Sequence, residues 1–546
     1  MRPSLLALLL LAACGGERKG APGEGGAFDP SSLPYGVPAA ADPVRGGTFT
    51  WGRPSDASSL DPAVITDGES VMVTVNLFDT LVAYEPDRME LVPSLAASWE
   101  ASADGLVWTF RLRPGVLFHD GTSCDAAAVV FSFLRQKDRS HPAHVGSFAY
   151  YEDSFKALER VEAVDAGTVR FTLAHPYAPF LGNLALFSAA IVSPTAWASE
   201  GLDAQGRYRY PFSQKPVGTG PFVFEEWHRA ERIVLRANEK HFLGRPPLDR
   251  LVFRPLKSPQ ARLQELEAGG VQGIYNPDLV DVASAARDAR LAVLSRPGLN
   301  VAYLAMNNGK PPFDKVAVRR AVALAIDKKR ILKAAYNDLA RVAETMCPEG
   351  IPGHLALPAS KPDPARARAL LAEAGFPDGF STELWYGTAT RPYMPDPEGV
   401  AIQVQQDLRA IGIEAKLKKV EWSAYIPATQ RGDHPMCLLG WMADLYDADN
   451  FLYVLLDKDN ARPGSANNVS FYVGERFHDL VTRAQREIDP ARRVELYHEA
   501  QRVAQEDAPV VPLAQVRDFR ILRAGIRGYT IYPVGGEYFR SVSLPK

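Results

Sequence analysis

The sequence predicts an α/β protein, and three observations support this fold class. Apolar and polar residues alternate over residues 108–112, which is the period-two pattern of a half-buried strand. Apolar residues recur every three or four positions between Val400 and Ile411, which is the pattern of an amphipathic helix. A second alternating stretch follows directly at residues 413–418. Helices and strands that alternate in this way along a chain favour α/β domains.

The first half of the chain is dense in strand signals. Short β-rich runs are separated by turn residues, such as Asp104-Gly105 and the stretch 165–167. The predicted strands lie at residues 99–102, 106–112, 169–173, 232–237 and 251–254.

The second half of the chain carries clear helix boundaries. Asp363 followed by Pro364 is the pattern of an N-cap and a first helical position, and Gly375 predicts the end of that helix. Asp489 followed by Pro490 predicts another start. An apolar stripe over residues 316–331 predicts one continuous helix there.

The N-terminus has the pattern of an export signal. Arg2 precedes an apolar run over residues 5–11, which is shorter than the roughly 20 residues that a membrane span needs. Cys14 follows Leu-Ala-Ala, and this resembles the lipoprotein box of bacteria, in which the cysteine becomes the lipidated first residue. We therefore predict a signal peptide at 1–13, a lipid anchor on Cys14 and a flexible tether over 14–45. The alternative is an ordinary signal peptide with an incidental cysteine.

The composition is that of an ordinary globular protein. Apolar residues make up 46% of the 546 residues and charged residues 23%, with a net charge of −3. No basic stripe with interleaved aromatic residues suggests a nucleic-acid partner. The three remaining cysteines, Cys124, Cys347 and Cys437, lie far apart in sequence, and we expect buried free thiols.

Motifs of common enzyme classes are absent from the sequence. There is no G-x-S-x-G, no Walker loop, no G-x-G-x-x-G and no H-E-x-x-H. We therefore expect a binding protein rather than an enzyme, without a cofactor or a metal site.

Several separated segments resemble one protein family. These segments, in chain order, are GGTF at 46–49, LDP at 60–62, LVPSLA at 91–96, FHDG at 118–121, PVGTGPF at 216–222, VRRA at 318–321, AID at 325–327 and GWMAD at 440–444. Each is weak alone, but together and in this order they resemble family 5 of the bacterial extracellular solute-binding proteins, the dipeptide/oligopeptide group. The segments TRPYMP at 390–395 and EW at 421–422 are most similar to its dipeptide-binding members.

The resemblance implies a two-lobed periplasmic-binding-protein-like fold with an extra subdomain in the first lobe. It implies a first lobe over 46–300 with the subdomain at about 80–210, a second lobe over 301–514, and a return to the first lobe over 515–546. The implied function is capture of dipeptides or short peptides and delivery to the permease of an ABC importer. The implied protein is a monomer outside the cytoplasm that meets the membrane only through its lipid anchor.

The resemblance also implies which residues contact the ligand. Asp444 would bind the peptide ammonium and Arg391 the peptide carboxylate. Four further residues would line the pocket, namely Trp422, Tyr393, Trp441 and Thr66. Each has a structural alternative: Asp444 and Thr66 could be turn residues, Arg391 a surface charge, and the three aromatic residues ordinary core.

Other functions stay open at this stage. Relatives in the family take longer peptides, glutathione, haem or nickel chelates. An enzyme or a chaperone-like protein built on the same fold is the alternative from a different class.

Overall fold

The computed structural model describes residues 28–534 and 536–545. The predicted signal peptide, Cys14 and the first part of the predicted tether lie outside these residues. Among the described residues, no helix has both the length and the apolar character that a membrane crossing requires.

The first lobe is built from residues before about 298 together with the C-terminal part of the chain, whose Tyr529, Phe539 and Val542 join its core. Its strands are β1 Thr48–Arg53, β2 Val82–Tyr84, β3 Leu91–Pro93, β4 Ala96–Ala101, β5 Val107–Leu112, β6 Leu158–Asp165, β7 Thr168–Leu173, β8 Phe222–His228, β9 Arg232–Ala237, β10 Arg250–Pro255, β11 Gly273–Tyr275 and β12 Leu291–Pro297. Its helices are α1 Gly68–Thr74, α2 Ala126–Lys137, α3 Ala149–Ser154, α4 Phe180–Asn183, α5 Pro194–Ala198, α6 Pro259–Ala268 and α7 Leu279–Ala285.

The second lobe follows. Its strands are β13 Asn300–Met306, β14 Ala340–Val342, β15 Phe380–Gly387, β16 Ile413–Val420, β17 Met436–Met442 and β18 Val510–Arg523. Its helices are α8 Val316–Ala325, α9 Lys328–Ala335, α10 Pro364–Glu373, α11 Pro397–Arg409, α12 Trp422–Arg431, α13 Asp449–Leu456, α14 Glu475–Arg486 and α15 Pro490–Asp507. Short 3₁₀ helices occur at Pro30–Ser32, Phe187–Ala189 and Lys458–Asn460.

One long strand joins the two lobes. The first part of β18 pairs with β13 and β14 of the second lobe, and its second part pairs with β11 and β12 of the first. The resulting sheet has the order β16-β15-β17-β13-β18-β11-β1-β10-β9-β8. The chain therefore passes between the lobes at β12–β13 and again within β18, and a cleft between the lobes lies beside these strands.

The extra subdomain has a sheet of its own. Strands β4, β5, β7 and β6 pair in that order, and α2 packs on this sheet around a separate apolar core that includes Phe110, Phe133 and Phe171. The subdomain carries α3, which reaches the second lobe. The α/β expectation is confirmed, and the helices and strands occur in the order that the sequence pattern predicts.

Two expectations from the sequence are wrong. The predicted helix over 316–331 is two helices, because Ile326 is extended and Asp327 caps α9 by accepting a hydrogen bond from the backbone N–H of Arg330. The tether does not extend to residue 45, because residues 34–37 already pair with the first lobe. The backbone N–H of Val37 donates to the Tyr529 carbonyl at 2.7 Å, and that of Ser295 donates to the Pro34 carbonyl at 2.9 Å.

The three cysteines among the described residues are buried and unpaired, as expected. Burial raises the pKa of Cys124, Cys347 and Cys437 far above that of an exposed thiol. A thiol that stays protonated is a weak nucleophile and a weak metal ligand. These residues therefore serve as small apolar side chains in the core.

Candidate ligand-binding site

Asp444 lies at the boundary between the lobes, just after β17. The Tyr150 hydroxyl, on α3 of the first lobe, lies near enough to this carboxylate to lower the pKa of Asp444. The backbone N–H of Asp444 donates to Oδ1 of Asn450 at 2.9 Å, and the Trp441 indole N–H donates to the same oxygen at 3.2 Å. Asn450 therefore accepts hydrogen bonds from both Asp444 and Trp441, two of the predicted site residues.

The carboxylate of Asp444 is half-buried, and no lysine or arginine of the described residues pairs with it. Burial raises the pKa of Asp444 to about 7, and the hydrogen bonds from Tyr150 and Asn450 lower it only in part. No Lys or Arg of the described chain contributes to this pKa. A buried carboxylate is costly unless a positive charge pairs with it, so the position favours a ligand that brings one.

Arg391 forms the other half of the candidate site, in the loop that follows β15. Its guanidinium carbon lies 3.9 Å from the centre of the Trp422 ring, and its Nε is buried without a hydrogen-bond partner among the described residues. The loop is held by two backbone bonds between Arg391 and Met394. A stacked guanidinium with a free donor is well suited to bind a carboxylate.

The position of the Trp422 ring depends on the absence of a side chain at Gly387. Trp422 begins α12, and a Cβ atom added at Gly387 would lie 2.8 Å from its ring. A larger residue at the end of β15 would push the indole away from the guanidinium. The end of β15 and the start of α12 thus fix the position of the Trp422 ring, on which the Arg391 guanidinium stacks.

Helix α1 of the first lobe faces both halves of the site. Burial raises the pKa of Glu69 to about 7, and the positive charges of Arg53 and, more weakly, Arg391 lower it. The charge of Asp67, the N-cap of α1, in turn raises the pKa of Tyr150. The charges of α1 are therefore near enough to act on Arg391 and on Tyr150.

The other three predicted site residues, Tyr393, Trp441 and Thr66, differ in how exposed they are. Tyr393 is only 8% exposed, and its ring occupies the space that a side chain at Gly440 would need, so most of it is core of the second lobe. Burial also raises the pKa of Tyr393 to about 12. Trp441 is half-buried against the core of the second lobe, and Thr66 is exposed directly before α1.

Sequence reasoning missed Tyr150 and Asn450. Asn450 lies six positions after Asp444 and carries no motif of its own. Tyr150 packs on Phe187 with ring centres 4.6 Å apart, and it reaches Asp444 only because the subdomain folds over the second lobe. No local pattern signals a contact between segments so distant in sequence.

One group of side chains has the composition of a metal site. Among the described residues, ligand atoms of Asp457, Asp459 and His478 lie within 4.8 Å of one another. However, Nδ1 of His478 is already within 3.0 Å of the Asp457 carboxylate, and Lys156 lies close enough for both aspartates to raise its pKa. An internal network of opposite charges accounts for this group, and it lies apart from Asp444 and Arg391.

The subdomain also touches the second lobe outside the cleft. The Lys156 ammonium lies 3.8 Å from the centre of the Tyr453 ring, and the Ala178 N–H donates to the Gln485 carbonyl at 2.7 Å. These contacts exist only when the lobes are together. They therefore add to the stability of the closed arrangement.

We expect Lys156→Met to weaken ligand binding by about twofold to thirtyfold, since a cation–π contact contributes about 0.5–2 kcal/mol. The variant should also populate more open forms, which small-angle X-ray scattering of the ligand-free protein would detect as a larger radius of gyration. Lys240→Met, at an exposed position of the first lobe, is the control. Equal affinities for both variants would show that the Lys156 contact does not favour closure.

Comparisons with known proteins agree on one family. The model of "bacterial extracellular solute-binding proteins, family 5 Middle" matches residues 90–463. A dipeptide-binding protein of Escherichia coli (strain K12) is 34% identical over 516 residues, covering 92% of this chain and 95% of the relative. Heme-binding protein A of Haemophilus influenzae is 35% identical over 512 residues, covering 91% and 92%.

A solved structure has the same fold. It is an ABC transporter-associated periplasmic binding protein from Helicobacter pylori in complex with the peptide STSA. The TM-score is 0.83 at 35% identity, and the alignment covers 92% of this chain and 99% of that one. The two-lobed arrangement is thus shared over nearly the whole described chain.

Proposed function

The chain belongs to family 5 of the bacterial extracellular solute-binding proteins, as the sequence segments indicate, and we propose that it captures dipeptides or short peptides between its lobes. One observation carries this proposal. The second lobe carries a half-buried carboxylate without a cation, Asp444, and a stacked guanidinium with an unpaired donor, Arg391, and we place both at the interlobe cleft. Relatives and a structural neighbour named for peptide binding support the same ligand class.

A free peptide matches this pair of charges. It carries an ammonium at one end and a carboxylate at the other, and two extended residues span about 7 Å. Asp444 would pair with the ammonium, and Arg391 would bind the carboxylate through two parallel hydrogen bonds. Main-chain ends are common to all peptides, so such a site selects length more strongly than sequence.

Aromatic side chains would cover the apolar parts of the ligand. Trp422 and Trp441 are half-buried near the two charged groups and fit this role, while Tyr393 would act mainly by supporting the wall behind Arg391. Thr66 is exposed at the first-lobe rim and would contact the ligand from that side. We add Tyr150, which reaches Asp444 from the first lobe.

Closure of the lobes would be the working motion. A ligand that contacts Asp444 on one lobe and the residues around α1 on the other binds the closed form better, and this difference in affinity shifts the protein toward closure. The closed form is what the permease of an ABC importer would recognise. We propose that delivery to such a permease is the purpose of capture.

The remaining features of the proposal concern location and organisation. We propose a signal peptide at 1–13 and a lipid anchor on Cys14, which would hold a monomeric protein at a membrane outside the cytoplasm. We place the lobe limits near 300 and 515, where β12–β13 and β18 cross between the lobes. The first lobe then includes the packed residues from 28 onward.

Calorimetric titration of refolded, ligand-stripped protein tests the function directly. We expect dialanine to bind, and we expect N-acetyl-dialanine and dialanine amide each to lose at least about 30-fold in affinity, because each leaves one buried charge unpaired. Tetra-alanine, glutathione and haem should be titrated in parallel, since one relative is named for heme and one structural neighbour holds a four-residue peptide. Absence of dialanine binding beside tight binding of one of these would replace the dipeptide assignment.

Binding should also depend on pH in a defined direction. The pKa of Asp444 is raised to about 7, so the empty site is largely protonated below pH 7, whereas pairing with an ammonium requires the ionised form. Affinity should rise about tenfold per pH unit from pH 5 to pH 7 and then level off. Calorimetry in buffers of different ionisation enthalpy should show release of a proton at pH 6, and Asp444→Asn should abolish this release.

Asp444 gives the stability of the ligand-free protein the opposite pH dependence. Because the folded pKa lies above the unfolded one, the folded state binds more protons between about pH 4 and pH 7. The contribution of Asp444 to the free energy of unfolding therefore falls as pH rises through this window. A stability profile of Asp444→Asn that keeps the full wild-type slope would contradict this origin of the pH dependence.

A further inference from the structure

A second cavity lies wholly within the second lobe. It has a volume of about 420 Å³, which lies within the range of small-molecule sites. Helices α8, α10, α13 and α15 and the start of β18 enclose it. Its apolar lining includes Leu324, Leu370, Leu452, Leu456, Ala504 and Val511. None of the residues of the interlobe site contributes to this lining.

Polar side chains in the cavity wall are already engaged by the protein. The Gln501 amide donates to the carbonyls of Gly353 and Tyr497 and accepts from the N–H of Leu355. The Thr345 hydroxyl donates to the Cys347 carbonyl at 2.9 Å. These groups cannot bind the backbone of a peptide without losing bonds of their own, so the interior suits an apolar chain.

The rim of the cavity carries cationic side chains. Buried Lys328 donates to Glu344 at 2.7 Å and to the Ala343 carbonyl at 2.8 Å, which leaves one of its three donors. Exposed Arg320 uses Nε on the Glu506 carbonyl, and its two Nη atoms have no hydrogen-bond acceptor within the described chain. Arg366, beside Leu370, is paired with Glu373 at 3.0 Å, as Lys328 is with Glu344. Arg320 is therefore the cation of the lining with which no carboxylate of the described residues pairs, and its charge favours an anion at the rim.

We propose that this cavity binds an unbranched aliphatic carboxylate of the fatty-acid class. The apolar wall takes the methylene chain, whose burial is favourable for every CH₂ removed from water. The carboxylate lies at the rim, where the free donors of Arg320 and Lys328 meet it. This site is independent of the peptide site, and its occupation leaves the interlobe cleft open to ligand.

The test uses the purified full-length chain, with laurate kept below its micelle concentration as the probe. Calorimetry should show one site per chain, and the methyl ester of laurate should bind at least about tenfold more weakly, because it lacks the charge that the rim attracts. Saturating dialanine should not displace laurate. Multiple weak sites, or competition with dialanine, would overturn the proposal.

Two sets of variants test whether laurate binds in this cavity. Ala504→Trp fills the cavity from α15 and should abolish laurate binding, with a thermal melt to check folding. Leu370→Glu and Leu370→Lys disturb the same half-buried position of the wall and differ only in charge. Leu370→Lys should bind laurate at least about tenfold more tightly than Leu370→Glu, and dialanine affinity should be unchanged in all three. Equal laurate binding by the two Leu370 variants, or full binding by folded Ala504→Trp, would overturn the proposal.

Discussion

Asp444→Asn is expected to weaken dialanine binding by about 30-fold to several-thousand-fold, because loss of one partner of a buried charge pair costs about 2–5 kcal/mol. Asparagine has the same shape and can still accept from the Tyr150 hydroxyl, so the fold should be preserved. The ammonium of the ligand, however, would be desolvated opposite a neutral amide. Calorimetric titration of both proteins at pH 7.5 measures the difference.

A double-mutant cycle with the ligand separates this charge pairing from damage to the fold. N-acetyl-dialanine has no ammonium, so Asp444→Asn should change its affinity by less than about threefold. Asp378→Asn removes an exposed carboxylate of the same lobe and is the control for net charge. If Asp444→Asn weakens the acetylated and the free peptide equally, Asp444 does not bind the ammonium.

Most of the fold could be predicted from local sequence patterns. The β-rich run at residues 232–237 gives β9, and Asp363 caps α10 by accepting a hydrogen bond from the Arg366 N–H, as the Asp-Pro pattern predicts. These features depend on neighbours in sequence. The break between α8 and α9 was missed because the apolar stripe continues across Ile326 while the backbone becomes extended there.

Contacts between the lobes could not be predicted in the same way. The approach of Tyr150 to Asp444 brings together two residues of different lobes, and it depends on how the subdomain packs rather than on any local pattern. The second cavity likewise depends on tertiary packing, since its walls come from several helices, loops and one strand. Arg391 and Asp444 were found only because segments around them resemble a family.

Tyr150 could couple the ionisation of Asp444 to closure of the two lobes. Its hydroxyl approaches the Asp444 carboxylate from the opposite lobe and lowers the pKa of that group. An ammonium that ionises Asp444 would favour a hydrogen bond from this hydroxyl, because bonds to charged acceptors are stronger. The ligand would then stabilise closure through a group that it does not itself touch.

Arg391→Gln is expected to have an effect as large as that of Asp444→Asn, about 2–5 kcal/mol, because the peptide carboxylate would lose its cation inside the cleft. Arg391→Lys should recover only part of the loss. Lysine keeps the charge, but it has neither the planar fork for two parallel bonds nor the flat face that stacks 3.9 Å above Trp422. Titration of dialanine against the three proteins should therefore rank arginine first, lysine second and glutamine last.

The amidated ligand decides whether the guanidinium binds the peptide carboxylate. Dialanine amide has no carboxylate, so Arg391→Gln should change its affinity by less than about threefold. Arg431→Gln, on the same helix as Trp422 and paired at the surface with Asp433, controls for loss of a positive charge nearby. A full loss of dialanine amide binding in Arg391→Gln would mean that Arg391 acts by holding Trp422 and the 391–394 turn in place. In that case another group must bind the carboxylate. Arg53 and Arg262 would be the first to replace: burial lowers the pKa of both, and the nearby charge of Glu69 partly offsets this.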